Sequence, residues 1–224
     1  MDGEDEAEEE AVMTLPDGYS DEARALWDAA LALNRAAGAV SLPPLLFFTD
    51  PERTPRPWET AARLPAGAGV VFRAFGRPEA LETGLRLREA TRKAGVRLLV
   101  GLDADLAERI AADGVHLPER AADRAGALRR DRPGWLLTAA WHGEAPAPTG
   151  LDALILSPVF PAGGASADKA SLGVAAFARL ATDASTPVYA LGGIDAANVM
   201  RLAGSGACGV AGVAAIRQAF AIRT

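Results

Sequence analysis

The chain has 224 residues, half of them hydrophobic, which suits one large domain or two small ones. Its formal net charge is −6, and seven carboxylates without a base fall within residues 1–10, so the remainder is close to neutral. This balance argues against a nucleic-acid surface, and the single cysteine, Cys208, excludes an intrachain disulfide or a cysteine cluster for zinc. The sequence predicts an acidic disordered tail over residues 1–18 and one folded domain over 19–224.

The first predicted element of the folded part is a helix over residues 20–37, which Ser20 can cap and whose apolar residues recur on one face. After it, continuous apolar runs typical of strands buried on both faces begin at eight places. These runs are residues 45–49, 69–74, 96–100, 114–117, 135–140 and 153–157, and the first parts of 187–194 and 206–216.

Amphipathic stretches lie between these runs, at residues 78–94, 104–112 and 174–182 and, more weakly, at 119–130. Such alternation predicts parallel strands joined by helical crossovers. Eight units in about 180 residues fit an α/β fold, a (β/α)8 TIM barrel with an extra N-terminal helix, and a doubly wound open sheet is the alternative. Pro146 and Pro148 predict a short, irregular crossover without a normal helix between the fifth and sixth strands.

The last two units each join a strand to a helix through small residues. Gly192 and Gly193 permit a sharp turn with open N–H groups, and Asp195 is a good N-cap for a following helix. Ala214 and Ala215 lie at the second junction. Because helix N-termini bind anions, and barrels commonly bind phosphate after strands seven and eight, we predict a phosphate site at these glycines and alanines. The alternative is that the glycines serve only tight packing.

Chemically active side chains are expected at the C-terminal ends of the other strands. Arg73 ends the second strand and needs either a carboxylate partner or an anionic ligand, of which we favour the ligand. Trp141 and His142 follow the fifth strand, where a ring can stack on a ligand and an imidazole can move a proton, although a core tryptophan beside a capping histidine fits equally well. Further candidates for the substrate pocket are Thr49, His116 and Ser157.

Lys169 lies in a loop of small residues after the sixth strand. Together with Arg73 and His142 it is a candidate catalytic residue if that loop closes over a ligand, and otherwise it is an ordinary surface lysine. His142 has no acidic neighbour in the sequence, so any group that orients its ring must come from another strand. Asp103 and Glu119 are the nearest candidates by strand order.

At these residues the chain resembles the thiamine-phosphate synthase family and its sister, thiazole tautomerase. The resemblance is carried, in order, by residues 48–50, Arg73, residues 112–117, His142, and residues 157–161, 172–173, 190–194 and 206–216. It implies a TIM barrel that binds a thiazole phosphate on its last two loops. The synthases join this thiazole to a pyrimidine pyrophosphate and use Mg²⁺, whereas the tautomerases need a general acid/base and no metal ion.

Several positions depart from the synthase pattern. Leu102 stands where the resemblance implies a metal-binding aspartate, with Asp103 one residue later, and Ala121 stands where it implies a second acidic ligand. Ala140 replaces a serine, and Lys169 is displaced from its expected place. We therefore predict no metal ligands, with Mg²⁺ as a cofactor only if the synthase reaction is retained. Three functions stay open: a working or altered synthase, a metal-independent tautomerase that uses His142, and a non-catalytic phosphate-ligand binder.

The predicted partner is a small phosphorylated heterocycle, the thiazole phosphate, rather than nucleic acid or a membrane. The sequence begins with no basic-then-apolar signal and holds no apolar run of about 18 residues, so we expect a cytoplasmic protein. Nothing in it decides whether the chain forms a homo-oligomer.

Overall fold

A computed structural model describes residues 15–163 and 170–221, so most of the predicted acidic tail and Lys169 lie outside the described residues. Eight parallel strands close into one barrel in sequential order, which confirms the predicted (β/α)8 barrel over the open sheet. The strands are β1 (Leu45–Phe48), β2 (Gly69–Phe72), β3 (Arg97–Gly101), β4 (Gly114–Leu117), β5 (Leu136–Trp141), β6 (Ala153–Leu156), β7 (Val188–Leu191) and β8 (Ala207–Gly212).

The extra helix is present as α1 (Asp21–Ala36), and the Ser20 hydroxyl caps it by accepting the Ala23 N–H at 3.0 Å. The other α-helices are α2 (Pro57–Ala61), α3 (Ala80–Ala94), α4 (Ala104–Arg109), α5 (Ala125–Asp131), α6 (Gly173–Asp183) and α7 (Ala214–Ala219), with 3-10 helices at Glu119–Arg124 and Val199–Leu202. Residues 142–152 contain no helix, as Pro146 and Pro148 predict. None of the described helices is long and apolar enough to cross a bilayer.

Alternate residues of each strand enter two separate hydrophobic layers. The inner layer fills the barrel and contains Leu46, Phe48, Val71, Leu99, Ile155, Tyr189 and Ala211. The outer layer lies between the strands and the helices and contains Phe47, Val70, Val100, Leu137, Trp141, Leu156 and Phe177. The closed inner layer means that ligands reach only the ends of the barrel.

Two similar ion pairs fasten the N-terminal ends of the strands. The Asp113 carboxylate, just before β4, receives Arg88 of α3 through two bonds of 2.8 and 3.0 Å and the Leu98 N–H at 2.7 Å. The Asp152 carboxylate, just before β6, receives Arg129 at 2.6 Å and the Leu137 N–H at 2.7 Å. Each carboxylate thus ties a helix to the start of the preceding strand.

Helix α1 lies against the last strand and the last helix of the barrel. The Asn34 amide donates to the carbonyls of Ala39, Leu42 and Cys208 at 2.9, 3.3 and 3.0 Å. At the other end of α1 the Ser20 hydroxyl donates to the Ala219 carbonyl at 3.0 Å. These bonds join the beginning of the described chain to its end.

The start of the chain departs from the predicted tail boundary. Leu15 is 6% exposed and belongs to the outer hydrophobic layer. The carbonyls of Leu15 and Pro16 accept hydrogen bonds from Arg24 of α1. Leu15 therefore packs on the folded domain, whereas residues 16–18 are exposed.

The helix predicted to start at Asp195 is replaced by a turn. The Asp195 carboxylate accepts the Ala197 and Asn198 N–H groups at 2.9 and 3.1 Å, and the Asn198 amide donates to the Gly193 carbonyl at 2.8 Å. Such local side-chain bonds satisfy the backbone without a helix. A helical turn begins only at Val199, and it is a 3-10 helix.

Candidate active site

A cleft of about 390 Å³ opens at the C-terminal end of the barrel, between the loops that follow β6, β7 and β8. Ligand pockets commonly measure about 300–1,000 Å³, so the cleft has room for a small molecule. It is lined by Ser157, Gly192, Gly193, Ala214 and Ala215, and by two arginines, Arg53 and Arg73, from the opposite side. The structure thus brings together all four predicted phosphate-binding residues.

The glycine turn of this cleft leaves no room for side chains. Gly192 has a φ of 104° and Gly193 a φ of 65°, both in the left-handed region. A Cβ on Gly192 would lie 2.7 Å from the Pro158 Cα, and a Cβ on Gly193 would lie 2.3 Å from the Pro161 carbonyl oxygen. The turn therefore packs directly against the loop after β6, and the Phe160 N–H donates to the Gly192 carbonyl at 3.0 Å.

Several backbone donors at the cleft have no acceptor within the described part of the chain. They are the N–H groups of Gly193, Ala214 and Ala215. Ala214 and Ala215 form the first turn of α7, where N–H groups have no partner inside the helix. Unpaired N–H groups that line a concave site are suited to bind an anion.

Arg73 is held by the end of β1. Its Nε donates to the Thr49 carbonyl at 2.7 Å, and its own N–H donates to the Thr49 hydroxyl at 2.9 Å. Its Nη2 lies 3.7 Å from an Asp50 carboxylate oxygen and is buried without a hydrogen-bond partner. Burial lowers the pKa of Arg73 and the charge of Asp50 raises it in part. Arg73 therefore has a carboxylate nearby, and its Nη2 can still donate to an anionic ligand, so both predicted alternatives stay open.

His116 lies inside the barrel at the end of β4, 8% exposed. Its Nδ1 is 3.0 Å from the Thr138 hydroxyl, and its ring meets the Phe48 ring edge to face at a centroid distance of 5.0 Å. Burial lowers the pKa of His116 to about 3, and the positive charge of Arg73 adds to this effect. His116 is consequently a neutral side chain at any pH near neutrality.

His142 forms a carboxylate–imidazole pair with Glu119. The distance between His142 Nδ1 and Glu119 Oε2 is 2.6 Å, and the His142 backbone N–H donates to Glu119 Oε1 at 3.3 Å. Both side chains are about 30% exposed, at 30% and 31%. Of the two orienting candidates, the structure selects Glu119, because the Asp103 carboxylate caps α4 by accepting the Leu106 N–H at 2.8 Å.

The remaining predicted residues are divided between the mouth and the outer layer. Thr49 is buried beside Arg73, and Ser157 lines the cleft. Trp141 points away from the cleft into the outer layer, where its indole N–H donates to the Ala145 carbonyl at 2.9 Å. The reason is strand parity: β5 extends to Trp141, which shares a face with Leu137 and Ala139. The predicted stacking role does not fit this position.

The ends of β3 and β4 offer few ligands for the Mg²⁺ that the resemblance implies. Leu102 has a φ of 65° and a hydrocarbon side chain, Ala121 has no ligating atom, and Asp103 is engaged as a helix cap. No group of three or more His, Cys, Asp and Glu side chains within the described residues could hold a metal ion. A hard cation needs several oxygen ligands, so these residues do not fit a magnesium centre.

Sequence reasoning missed Arg53 and Thr138. Arg53 lines the cleft, and its guanidinium donates to the Asp50 carboxylate at 3.1 Å. Arg53 could have been predicted from the turn that begins with Asp50 and Pro51, because that turn places residue 53 near the end of the first strand. Thr138 was visible only as a polar residue inside an apolar strand.

A family model and the relatives of similar sequence point to thiamine biosynthesis. The family model of thiamine monophosphate synthase matches residues 47–216. A putative thiamine-phosphate synthase of Geobacter sulfurreducens is 34% identical over 140 residues, which are 61% of this chain and 66% of that protein. The thiamine-phosphate synthase of Methanoculleus marisnigri is 35% identical over 140 residues, with the same coverage of 61% and 66%. The matches therefore span slightly under two thirds of these relatives.

Among solved structures, the thiamine phosphate pyrophosphorylase from Pyrococcus furiosus has a TM-score of 0.66 and 24% identity. The match covers 79% of this chain and 91% of that one, and it supports the fold. The family model extends over most of the chain and includes every described strand from β2 to β8. This chain belongs to the thiamine monophosphate synthase family.

Proposed function

We propose that this chain binds a thiazole phosphate in the cleft and moves a proton on it with His142 and Glu119, without a metal ion. Membership of the thiamine monophosphate synthase family supports a place in thiamine biosynthesis. The proposal assigns phosphate binding to one half of the barrel mouth and proton transfer to the other.

The phosphate half is supported by backbone geometry. The N–H groups of Gly193, Ala214 and Ala215 lack acceptors in the described structure, and all three residues line the cleft. The missing Cβ atoms of the glycine turn let it pack against the loop after β6, which shapes one wall of the cleft. A phosphate there accepts several N–H bonds, and Arg53 and Arg73 add positive charge on the other side of the cleft.

The observation that carries the catalytic half is the 2.6 Å contact between His142 Nδ1 and Glu119 Oε2. A carboxylate has only acceptor oxygens when ionised, so it selects the tautomer with hydrogen on Nδ1. The basic lone pair of His142 is then on Nε2. A tautomerisation takes one proton from the ligand and returns one at a second position, so the same imidazole can serve as base and then as acid.

The pyrophosphate half of a synthase site is, in this proposal, lost. Leu102 and Ala121 supply no oxygen ligand, and Asp103 and Glu119 are engaged with α4 and His142. No step is therefore routed through Mg²⁺. Family membership nevertheless favours one second candidate, an altered thiamine-phosphate synthase.

One assay separates these functions. The protein is mixed with the thiazole carboxylate phosphate in deuterated buffer, and isomerisation and deuterium uptake are followed by NMR without Mg²⁺. In parallel, the thiazole phosphate and the pyrimidine pyrophosphate are supplied with Mg²⁺, and thiamine phosphate is measured. Isomerisation alone supports our proposal, and metal-dependent thiamine phosphate supports the synthase. Binding of the thiazole phosphate without turnover would leave only the binder and would refute the proposed chemistry.

A further inference from the structure

Thr138 and His116 form an isolated polar pair inside the barrel. Thr138 of β5 is fully buried, and its hydroxyl is 3.0 Å from Nδ1 of His116 on the neighbouring strand β4. His116 and Thr138 lie opposite each other because the parallel register of β4 and β5 pairs these two residues. The Phe48 ring lies against the imidazole, and the Arg73 guanidinium lies 5.5 Å from the centroid of the Phe48 ring.

The direction of this hydrogen bond follows from the threonine. Within the described structure, His116 Nδ1 is the single hydrogen-bond partner of the Thr138 hydroxyl. A buried hydroxyl that does not donate leaves a polar hydrogen unsatisfied, which is costly. Thr138 therefore donates, and Nδ1 accepts with its lone pair. In a neutral imidazole the hydrogen must then be on Nε2.

His116 has little tendency to take a second proton. Burial and the nearby guanidinium of Arg73 both oppose a positive charge and hold its pKa at about 3. Phe48 contributes no charge, and Thr138 supplies a neutral hydroxyl. Nε2 is not among the buried, unpartnered nitrogen and oxygen atoms of the described residues, all of which belong to arginines. Because His116 has no second hydrogen bond among the described residues, Nε2 keeps some contact with solvent, and His116 is not among the residues that line the cleft.

We propose that Thr138 is a positioning residue that fixes His116 as the neutral Nε2–H tautomer, a hydrogen-bond donor for an acceptor atom of the ligand. The acceptor is a ring nitrogen or a carbonyl-type oxygen, because an N–H cannot receive a proton from a donor. Its ligand part rests on the proposed function, whereas the tautomer is a property of the free protein. In this proposal His116 donates a hydrogen bond to the ligand, and His142 transfers the proton.

Nitrogen-15 NMR of the free protein tests the tautomer. The chain has only two histidines, so ¹⁵N-histidine labelling gives two imidazoles, and His142→Gln identifies the signals of His116. We expect His116 to show a protonated Nε2 and an unprotonated Nδ1, unchanged between about pH 5 and 8. An Nδ1–H tautomer or an imidazolium in this range would overturn the proposal without any variant of Thr138.

Two matched variants test the positioning role. Thr138→Ser keeps the hydroxyl and should keep the Nε2–H tautomer, whereas Thr138→Val keeps the shape and should give a mixture of tautomers. Calorimetric titration should show the thiazole phosphate bound about three- to tenfold more weakly by Thr138→Val than by Thr138→Ser, the cost of one neutral hydrogen bond. Inorganic phosphate should bind both equally, since neither Thr138 nor His116 belongs to the proposed phosphate site.

The outcomes remain distinct from failure of the proposed function. A pure Nε2–H tautomer in Thr138→Val refutes the role of Thr138 even if the enzyme is active. Equal affinity of both variants for the thiazole phosphate refutes ligand contact by His116. Absence of isomerisation in the wild type leaves the NMR result untouched.

Discussion

At the N-terminal end of the barrel, carboxylates such as Asp113 and Asp152 meet both an arginine and a backbone N–H. At the C-terminal end, Arg73 Nη2 and the N–H groups of Gly193, Ala214 and Ala215 have no partner in the described structure. Left-handed φ values of non-glycine residues occur at both ends, at Phe75 and Leu102 after β2 and β3 (49° and 65°) and at Ala111 before β4 (51°).

This difference separates stability from function within one fold. At the N-terminal end the ion pairs satisfy both carboxylates and stabilise the folded chain, although Arg88 Nε is buried without a hydrogen-bond partner. Unpaired donors at the C-terminal end cost stability until a ligand supplies acceptors. Substitutions at the C-terminal end should therefore lower turnover more than stability, and substitutions at the N-terminal end should lower the free energy of unfolding more than turnover.

The largest effect is expected at the C-terminal end. His142→Ala removes the proposed acid/base and should lower isomerisation of the thiazole carboxylate phosphate by about 10²–10⁴-fold. Affinity for the thiazole phosphate and the melting temperature should change little, because the side chain is partly exposed. Glu119→Gln, which keeps an acceptor oxygen near Nδ1, should lose less activity. An alanine variant as active as the wild type would leave His142 a structural residue.

The N-terminal end should give the reverse result. Asp113→Ala leaves Arg88 and the Leu98 N–H without their shared acceptor, so we expect the free energy of unfolding to fall by about 2–4 kcal/mol. The turnover number of the folded variant should stay unchanged. Glu82→Ala, which removes an exposed pair with Arg86 on the same helix, should cost less than about 0.5 kcal/mol in urea unfolding. A loss of turnover in Asp113→Ala would break the comparison.

An intermediate effect is expected from the buried imidazole of His116. Its folded pKa of about 3 lies below the ordinary value of 6.5, so the unfolded chain binds more protons between these values. Stability should therefore fall as pH falls from 6.5, by roughly 2 kcal/mol at pH 5. Urea unfolding of wild type and His116→Gln measures this contribution as the difference between their pH slopes. Equal slopes would mean that His116 is not neutral in the fold.

The smallest effect concerns the phosphate site. Ala215→Glu places a carboxylate at the first turn of α7, where it is favourable for the helix but repels a bound phosphate. We expect affinity for the thiazole phosphate to fall roughly tenfold, from like-charge repulsion screened by solvent. Ala215→Gln, of equal size and without charge, should bind nearly as the wild type. Gly193→Val is a poorer test, because its side chain would collide with Pro161.

The barrel could be predicted from the sequence because a buried parallel strand needs a continuous apolar run, and eight such runs recur in order. The sharp turn after β7 could be predicted from Gly192 and Gly193, whose φ values of 104° and 65° lie in the left-handed region. The direction of Trp141 could not be predicted, since it depends on whether β5 includes one more residue. The turn at Asp195 was missed because its side-chain bonds compete with a helix of similar local preference.

The choice between Asp103 and Glu119 also lay beyond the sequence. Both follow neighbouring strands, and both carry a carboxylate that can reach across the barrel mouth. Asp103 is committed to α4, which leaves Glu119 for His142. Which donor each carboxylate binds depends on the three-dimensional arrangement of the loops, and the spacing of residues in the sequence does not reveal it.

The bonds from α1 to the last strand have a consequence for synthesis of the protein on the ribosome. About 170 residues separate the end of α1 from β8, whose Cys208 carbonyl receives the Asn34 amide. At ribosomal rates this interval lasts roughly 10–30 s. Leu26, Trp27 and Leu33, all buried in the finished fold, must wait that long for β8 and α7. The nascent chain therefore carries an unburied apolar helix until β8 and α7 have been synthesised, a state that chaperones bind.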